Sequence, residues 1–300
     1  MESDFLIVDV FTQEPFGGNQ LGVFPDGSGL SDRAMQAITR ELNFSETTFV
    51  LPATRPGCSQ RVRIFTPRME LPFAGHPTVG TAAALAHLGR AAWSDGRAQL
   101  RFEEGVGAVD VEVRRERQAL MAQLTLASAV DVSAAPLVPG AVAAVLSLPA
   151  DRVAETWFAG AGVSFCYARL TSRDEVDRAI LDRAAWTTQL ATAWSPHLFF
   201  FSGELRSGAE LYARMFAPAL GVEEDPATGS ASAILAGVAA TRSREPDAEV
   251  VLHIDQGHAM GRPSRIRAHA AKADGRVQHI GVGGAVTVVA RGTMTIPDGY

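Results

Sequence analysis

The 300-residue sequence contains only two cysteines, Cys58 and Cys166, which are too few for a disulfide framework and have no metal-site spacing. We interpret both as structural or incidental. No apolar run approaches the ~18–20 residues that a membrane span requires. The first residues, Met1-Glu-Ser-Asp4, lack the positive charge of a signal peptide. These absences predict a cytoplasmic protein without a membrane partner.

Clusters of basic residues are also absent, because 27 Lys and Arg are outnumbered by 33 Asp and Glu, giving a net charge of −6. This balance disfavours nucleic acid and anionic membrane surfaces, so a small molecule is the expected partner. With 47% hydrophobic and 20% charged residues, the chain has ample material for a large core. Its length fits one large domain or two of about 150 residues.

Signatures of metal and nucleophile chemistry are missing as well. No two histidines lie at i,i+4, and neither His-x-Glu nor Cys-x-x-Cys occurs. Ser230 lacks the G-x-S-x-G elbow of a serine nucleophile, and the pair Gly17-Gly18 lacks the other residues of a phosphate-binding loop. We therefore expect neither a metal nor a serine nucleophile.

A helix-start pattern occurs twice in the chain, in His76-Pro77-Thr78-Val79-Gly80-Thr81 and in Asp225-Pro226-Ala227-Thr228-Gly229-Ser230. Asp225 followed by proline predicts an N-cap and a first helical residue. The residues after each start have almost no polar face, so we predict buried helices over Thr78–Leu88 and Thr228–Ala239.

The repeat predicts two similar domains in an α/β (α+β) fold, residues 1–126 and 127–300, with the C-terminal strand joining the first. Each is expected to be a curled, mostly antiparallel sheet around its central helix. The two helix starts would then face a shared cleft. Ser31 predicts a capped helix with Ala34 on its buried face, and Ser45–Leu51 predicts a strand with Glu46 at or near its first position. One helix is predicted over Arg173–Leu190, with its apolar face at Val176, Ile180, Leu181 and Ala184.

Candidate acid/base side chains fall at these element starts. Glu46 is a lone carboxylate at a strand end, and His76 and Asp225 occupy the same place in the two helix motifs. Each has an ordinary structural explanation when taken alone. Together with amides predicted to be free at the helix starts (Gly80, Thr81, Gly229 and Ser230), they predict an anion-binding cleft equipped for proton transfer.

Four strings carry a family resemblance: Ser45-Glu46-Thr47-Thr48-Phe49, Pro72-Phe73-Ala74-Gly75-His76-Pro77-Thr78, Glu224-Asp225-Pro226-Ala227-Thr228-Gly229-Ser230-Ala231 and Gln256-Gly257. In this order they resemble the phenazine-biosynthesis (PhzF-like) isomerases, across essentially the whole chain. The resemblance implies a diaminopimelate-epimerase-like fold with two pseudo-symmetric domains, no cofactor and a homodimer. It also implies that Glu46 is the acid/base residue. The implied substrate-binding residues are then His76, Asp225, Ser230, Thr81 and Asn19, together with Gly75 and Gly229, which support the turns.

Two departures refine this expectation. The family commonly has Gly-Asn-Pro where this chain has Gly18-Asn19-Gln20, which leaves the substrate open. Epimerases of the same fold use one cysteine from each domain, and these are absent here, so two-cysteine racemisation is excluded. We expect a proton shift on a small carboxylate-bearing substrate. The alternatives are epimerisation or dehydration of an amino or hydroxy acid, or metabolite binding without turnover.

The two halves are expected to differ at the base. Aligning Phe65-Thr-Pro67 with Phe216-Ala-Pro218 places Glu46 opposite His197. The second half thus lacks a carboxylate at this position, and an ordinary strand-start role is favoured for His197. A single base, Glu46, is therefore expected both to remove and to return the proton.

Overall fold

The computed structural model describes residues 1–116, 119–135, 137–297 and 299. The chain forms two compact units, Met1–Leu126 with Gly283–Tyr300, and Ala127–Val282. Strands predominate in both units. In the described residues no helix is long and apolar enough to cross a membrane.

The described residues of the first unit form two helices, and most of its strands come from the first 126 residues of the chain. Its elements are β1 (Glu2–Val10), β2 (Asn19–Phe24), α1 (Asp32–Leu42), β3 (Glu46–Leu51), β4 (Gln60–Phe65), β5 (Glu70–Leu71), α2 (Gly75–His87), β6 (Trp93–Ser94), β7 (Arg97–Glu104), β8 (Gly107–Glu116) and β9 (Ala119–Ala127).

Among the described residues of the second unit there are four helices, and one of them is longer than two turns. Its elements are β10 (Asp131–Val132), α3 (Pro139–Val145), β11 (Val153–Ala161), β12 (Val163–Leu170), α4 (Arg173–Arg178), α5 (Arg183–Gln189), β13 (Leu198–Ser202), β14 (Ala209–Ala217), β15 (Val222–Glu224), α6 (Gly229–Arg242), β16 (Ala248–Gln256) and β17 (Ser264–Ala273). A long last strand, β18 (Arg276–Thr295), starts in this unit and ends in the first. Short 3-10 turns cover Ala150–Arg152, Pro218–Leu220 and His258–Met260.

Strand pairing follows one succession in both units. In the first, β1–β2 is antiparallel, β2–β3 parallel, β3–β4 antiparallel, β4–β7 parallel and β7–β8 antiparallel. In the second, the same alternation runs through β11–β12, β12–β13, β13–β14, β14–β16 and β16–β17. In the first unit β8 pairs with β9, β9 with β18 and β18 with β1, so the sheet curls round to its starting strand. The predicted fold class, curled and mostly antiparallel sheets in two similar halves, is confirmed.

The helices α2 and α6 are the cores of their units. Every residue from Gly75 to Ala86 in α2 is buried, and α6 is buried from Ala231 to Ala240. Helix α2 packs on β1, β2, β3 and β8, and α6 packs on β11, β12, β16 and β17. Close approach requires a glycine in α2, because a Cβ at Gly80 would lie 2.6 Å from Leu21 Cδ2. Small residues therefore let each sheet wrap tightly around its helix.

The prediction that Asp225 caps the second helix is wrong, although the helix itself lies close to the predicted Thr228–Ala239. Helix α6 begins at Gly229 with Thr228 as N-cap, so Asp225 lies before the helix and does not cap it. Helix α2 begins at Gly75 with Ala74 as N-cap, so His76 lies inside its first turn. The two motifs resemble each other in sequence, but their helices start at different points relative to the proline.

The single helix predicted over Arg173–Leu190 is also wrong, because the chain forms α4 and α5 with an extended break between them. Ala179 has an extended backbone, and Asp182 starts the next helix by accepting a hydrogen bond from the Ala185 amide. The amide of Ile180 donates to the carbonyl of Leu146 instead of continuing the helix. Tertiary hydrogen bonds thus override the helical periodicity, and Ile180 is exposed.

Candidate functional site

Glu46 lies at the start of β3, where its side chain faces the first turn of α2. Its Oε2 is 3.5 Å from Nε2 of His76, and the two side chains are 17% and 7% exposed. Two of the predicted site residues are therefore adjacent in the structure.

Strand and helix geometry explain this pairing. Alternation in β3 puts Glu46 and Thr48 on one face, about 6.6 Å apart along the strand. The Thr48 and Thr81 hydroxyls form a buried hydrogen bond of 2.8 Å. His76 precedes Thr81 by five residues, which is about 7.5 Å along a helix. The threonine pair and the Glu46–His76 pair thus both join β3 to α2.

Burial sets the charge state of Glu46. It raises the pKa of this carboxyl to about 7, and hydrogen bonding from Ser45 opposes part of that rise. Oε2 is buried and accepts no hydrogen bond among the described residues. Because burial disfavours the ionised form and Oε2 has no donor in the described part of the chain, the side chain holds its proton far more readily than a surface glutamate. Near neutral pH it is present in both protonation states, as an alternating base and acid requires.

Asn19 supports the strand end that carries Glu46. Its Oδ1 accepts a 3.1 Å hydrogen bond from the hydroxyl of Ser45, and its side chain is almost completely buried. The preceding Gly18 has a left-handed backbone, and a Cβ there would lie 2.3 Å from the carbonyl oxygen of Val10. Parallel pairing of β2 with β3 brings this glycine turn to the edge where Glu46 begins. In the structure, Asn19 thus positions Ser45.

The amides of α2 require a correction. Thr78 already bonds back to the Ala74 carbonyl, at 3.3 Å. Gly80 and Thr81 lie further along, so their amides bond to carbonyls four residues earlier and are not free. Thr81 is fully buried with its hydroxyl bonded to Thr48, so its observed contact is structural, and its role as a substrate contact stays a prediction. Gly75 is the first residue of the helix.

Asp225 belongs to a hydrogen-bond network at the start of α6. The Thr228 hydroxyl donates to Asp225 Oδ2 at 2.6 Å and accepts from Gln256 Nε2 at 3.0 Å. Gln256 Nε2 also donates to the Asp225 carbonyl at 2.8 Å, while its Oε1 accepts from the Thr228 amide at 3.1 Å. Gln256 is fully buried, so this amide fixes the loop that presents Asp225.

The amides of Gly229 and Ser230 lie in the first turn of α6, as predicted, where a helix has no internal acceptors. Ser230 is partly exposed, so it is open to a ligand, and its role as a substrate contact stays a prediction. Over the ranges that the structure describes, no group of three or more His, Cys, Asp or Glu is placed to hold a metal ion.

Three polar residues beside the starts of α2 and α6 were not predicted to be functional. Gln256 and Thr228 were quoted only for the family resemblance. Glu104, at the end of β7, is buried and its Oε1 lies 2.8 Å from the Thr78 hydroxyl. Its signal was present in the alternation of Leu100, Phe102 and Glu104, which places the carboxyl on the inner face of the strand.

Residues 8–292 match the phenazine biosynthesis-like family PhzC-PhzF. An uncharacterised isomerase of Mesorhizobium japonicum is 38% identical, with 98% of this chain and 99% of that protein covered. The trans-2,3-dihydro-3-hydroxyanthranilate isomerase of Pseudomonas aeruginosa is 34% identical, with 96% and 98% covered. A PhzF-family crystal structure from Bacillus anthracis has a TM-score of 0.83 at 22% identity, covering 99% of this chain and all of that chain. On the extent of these matches, the chain belongs to the phenazine biosynthesis-like (PhzC-PhzF) family of isomerases.

Proposed function

We propose that this isomerase moves a proton on a small carboxylate-bearing substrate, without a cofactor, and that Glu46 is the acid/base residue. The observation that carries the proposal is the half-buried Glu46 beside His76, with a pKa raised to about 7. A catalytic group works best when its pKa lies near the working pH, because both forms are then available.

The proton balance of the step is simple. The Glu46 carboxylate removes a proton from a carbon next to an unsaturated system, and the electron pair shifts along that system. The carboxylic acid formed on Glu46 returns the proton to a different carbon. His76 Nε2, within 3.5 Å of Glu46 Oε2, is positioned to stabilise the ionised form of this carboxyl. No atoms are gained or lost, as isomerisation requires.

The relative from Pseudomonas aeruginosa is named for trans-2,3-dihydro-3-hydroxyanthranilate. We propose an unsaturated cyclic acid of this kind as the first substrate to test. Identity of 34% leaves the exact acid open, so a panel of small unsaturated, amino and hydroxy acids belongs in the same assay. A homodimer is a further proposal, which analytical ultracentrifugation tests directly.

The decisive experiment follows substrate hydrogens by NMR in D₂O for wild type and Glu46→Gln. Wild type is expected to isomerise one of the acids and to retain part of the migrating hydrogen, since one shielded base both removes and returns it. Glu46→Gln is expected to lose about 10²–10⁴-fold in turnover. Glu41→Gln, an exposed change on α1, is the matched control and keeps full activity. Undiminished turnover by Glu46→Gln would refute the assignment.

A further inference from the structure

Glu104 is a buried carboxyl that the proposed proton transfer does not use. It is the last residue of β7 and only 6% exposed. Its Oε2 is buried and has no hydrogen-bond partner in the part of the chain that the structure describes. Burying a charged carboxylate in this way is strongly unfavourable, so the environment selects the neutral acid.

The hydrogen count around Thr78 leads to the same conclusion. The Thr78 hydroxyl oxygen lies 2.8 Å from Glu104 Oε1 and 2.8 Å from the carbonyl oxygen of Ala74. A hydroxyl has one hydrogen and donates to only one of these two atoms. If Glu104 is protonated, it donates to Thr78, which in turn donates to Ala74. If Glu104 is ionised, one of these close pairs contains two acceptors and no hydrogen.

Burial, and not a neighbouring charge, has the largest effect on the protonation of Glu104. Burial raises the pKa of Glu104 to about 8, and the hydrogen bond with Thr78 opposes part of that rise. Glu103 lies on the opposite face of β7, where its carboxylate accepts from Thr54 and from the Arg55 amide. The Arg55 guanidinium approaches Gly107 of β8, which pairs with Glu104. On α2, the nearest titratable group in sequence to Thr78 is His76.

This chain of hydrogen bonds acts on the helix start that carries His76. Ala74 is the N-cap of α2 and has no capping side chain, so the Thr78 hydroxyl provides the polar link there. The turn after β7 also binds the segment before α2, since the Val106 amide donates to the Pro72 carbonyl at 3.2 Å. The end of β7 and the turn after it thus hold the segment that leads into α2 through two hydrogen bonds.

We propose that protonated Glu104 is a positioning residue that holds the first turn of α2, and with it His76 beside Glu46. Loss of this proton in mildly alkaline solution breaks the link through Thr78 and releases the turn. The effect on turnover rests on the proposed role of Glu46, whereas the effect on folding stability does not.

The stability test compares wild type with Glu104→Gln by thermal unfolding from about pH 5 to about pH 9. The Gln amide donates to Thr78 as the protonated acid does, but it does not ionise. Because burial raises the native pKa, wild-type stability is complete below the unfolded-state pKa and is lost as pH rises towards about 8. Glu104→Gln is therefore expected to gain in melting temperature over wild type as pH rises. Glu103→Gln, at the partly exposed neighbour whose carboxylate accepts hydrogen bonds from Thr54 and Arg55, is the control and is expected to lose stability instead.

The turnover test uses the same variants in the isomerase assay. Glu104→Gln is expected to match wild type near neutral pH and to stay active where wild type declines, about tenfold per pH unit above the pKa. When Thr78→Val is added to both proteins, their turnover is expected to decline in the same way as pH rises, because the link through Thr78 is then absent from both. A melting-temperature difference that does not change with pH would overturn the proposal. If wild type and Glu104→Gln, both with Thr78 intact and both active, lose turnover along the same alkaline limb, the proposal is also overturned. If every protein is inactive, only the proposed reaction is refuted.

Discussion

Replacing Glu46 by Gln is expected to stabilise the protein at alkaline pH while it abolishes turnover. Burial raises the pKa of Glu46 from 4.5 to about 7. The unfolded chain therefore releases this proton at lower pH than the native chain does, and native stability falls as pH rises from about 4.5 to 7. The 2.5-unit difference at 1.36 kcal/mol per unit gives about 3 kcal/mol. Gln resembles the protonated acid and avoids this loss.

The assay is urea unfolding of wild type and Glu46→Gln at about pH 5 and about pH 8. The stability difference between the two proteins is expected to grow by about 2–3 kcal/mol in favour of Glu46→Gln at the higher pH. Comparing the same pair at two pH values cancels the titration of all other groups. Glu41→Gln controls for the chemical change at an exposed position and is expected to show no such growth. A difference that is the same at both pH values would refute the raised pKa.

Three further outcomes follow from other contacts. Gln256→Ala is expected to cost about 2 kcal/mol, because it leaves the buried Thr228 amide without an acceptor, and to weaken anion binding measured by calorimetry. Gly80→Ala is expected to destabilise by about 1–3 kcal/mol in urea unfolding, because the new methyl overlaps Leu21, despite the better helix propensity of alanine. His197→Asn is expected to leave turnover nearly unchanged in steady-state assays, since Glu46 alone carries the proton.

Local patterns predicted the elements that depend on local physics. Ser31 does cap α1 by accepting from the Ala34 amide, and β3 runs over Glu46–Leu51 with Glu46 at its start, as predicted. The all-round apolarity of the two central helices was a reliable indication of burial, because such a helix has no face to present to water. In the second unit, helix α3 and strand β11 were missed. Residues 127–140 contain two prolines and little periodicity, and the Val153–Ala161 strand alternates only weakly.

The site was predicted less completely, for a physical reason. Residue types and helix starts identified Glu46 and His76, and the structure brings them together. The hydrogen bonds that fix their alignment join residues far apart in the chain, such as Thr48 with Thr81. A proline pattern also does not reveal where a helix begins, because caps depend on which amides find tertiary acceptors. The cap of the second helix was therefore predicted three residues too early, at Asp225, whereas the N-cap is Thr228.

The strand registers show that the two units carry different residues at one equivalent position. Thr47 pairs with Phe65 in the first unit, and Leu198 pairs with Phe216 in the second, so Glu46 and His197 occupy equivalent positions. Burial lowers the pKa of His197, which keeps its imidazole neutral in neutral solution. The same burial raises the pKa of Glu46 into the working range. One structural position thus favours the neutral form of either residue, and only in the carboxyl does this produce an acid and base poised near pH 7.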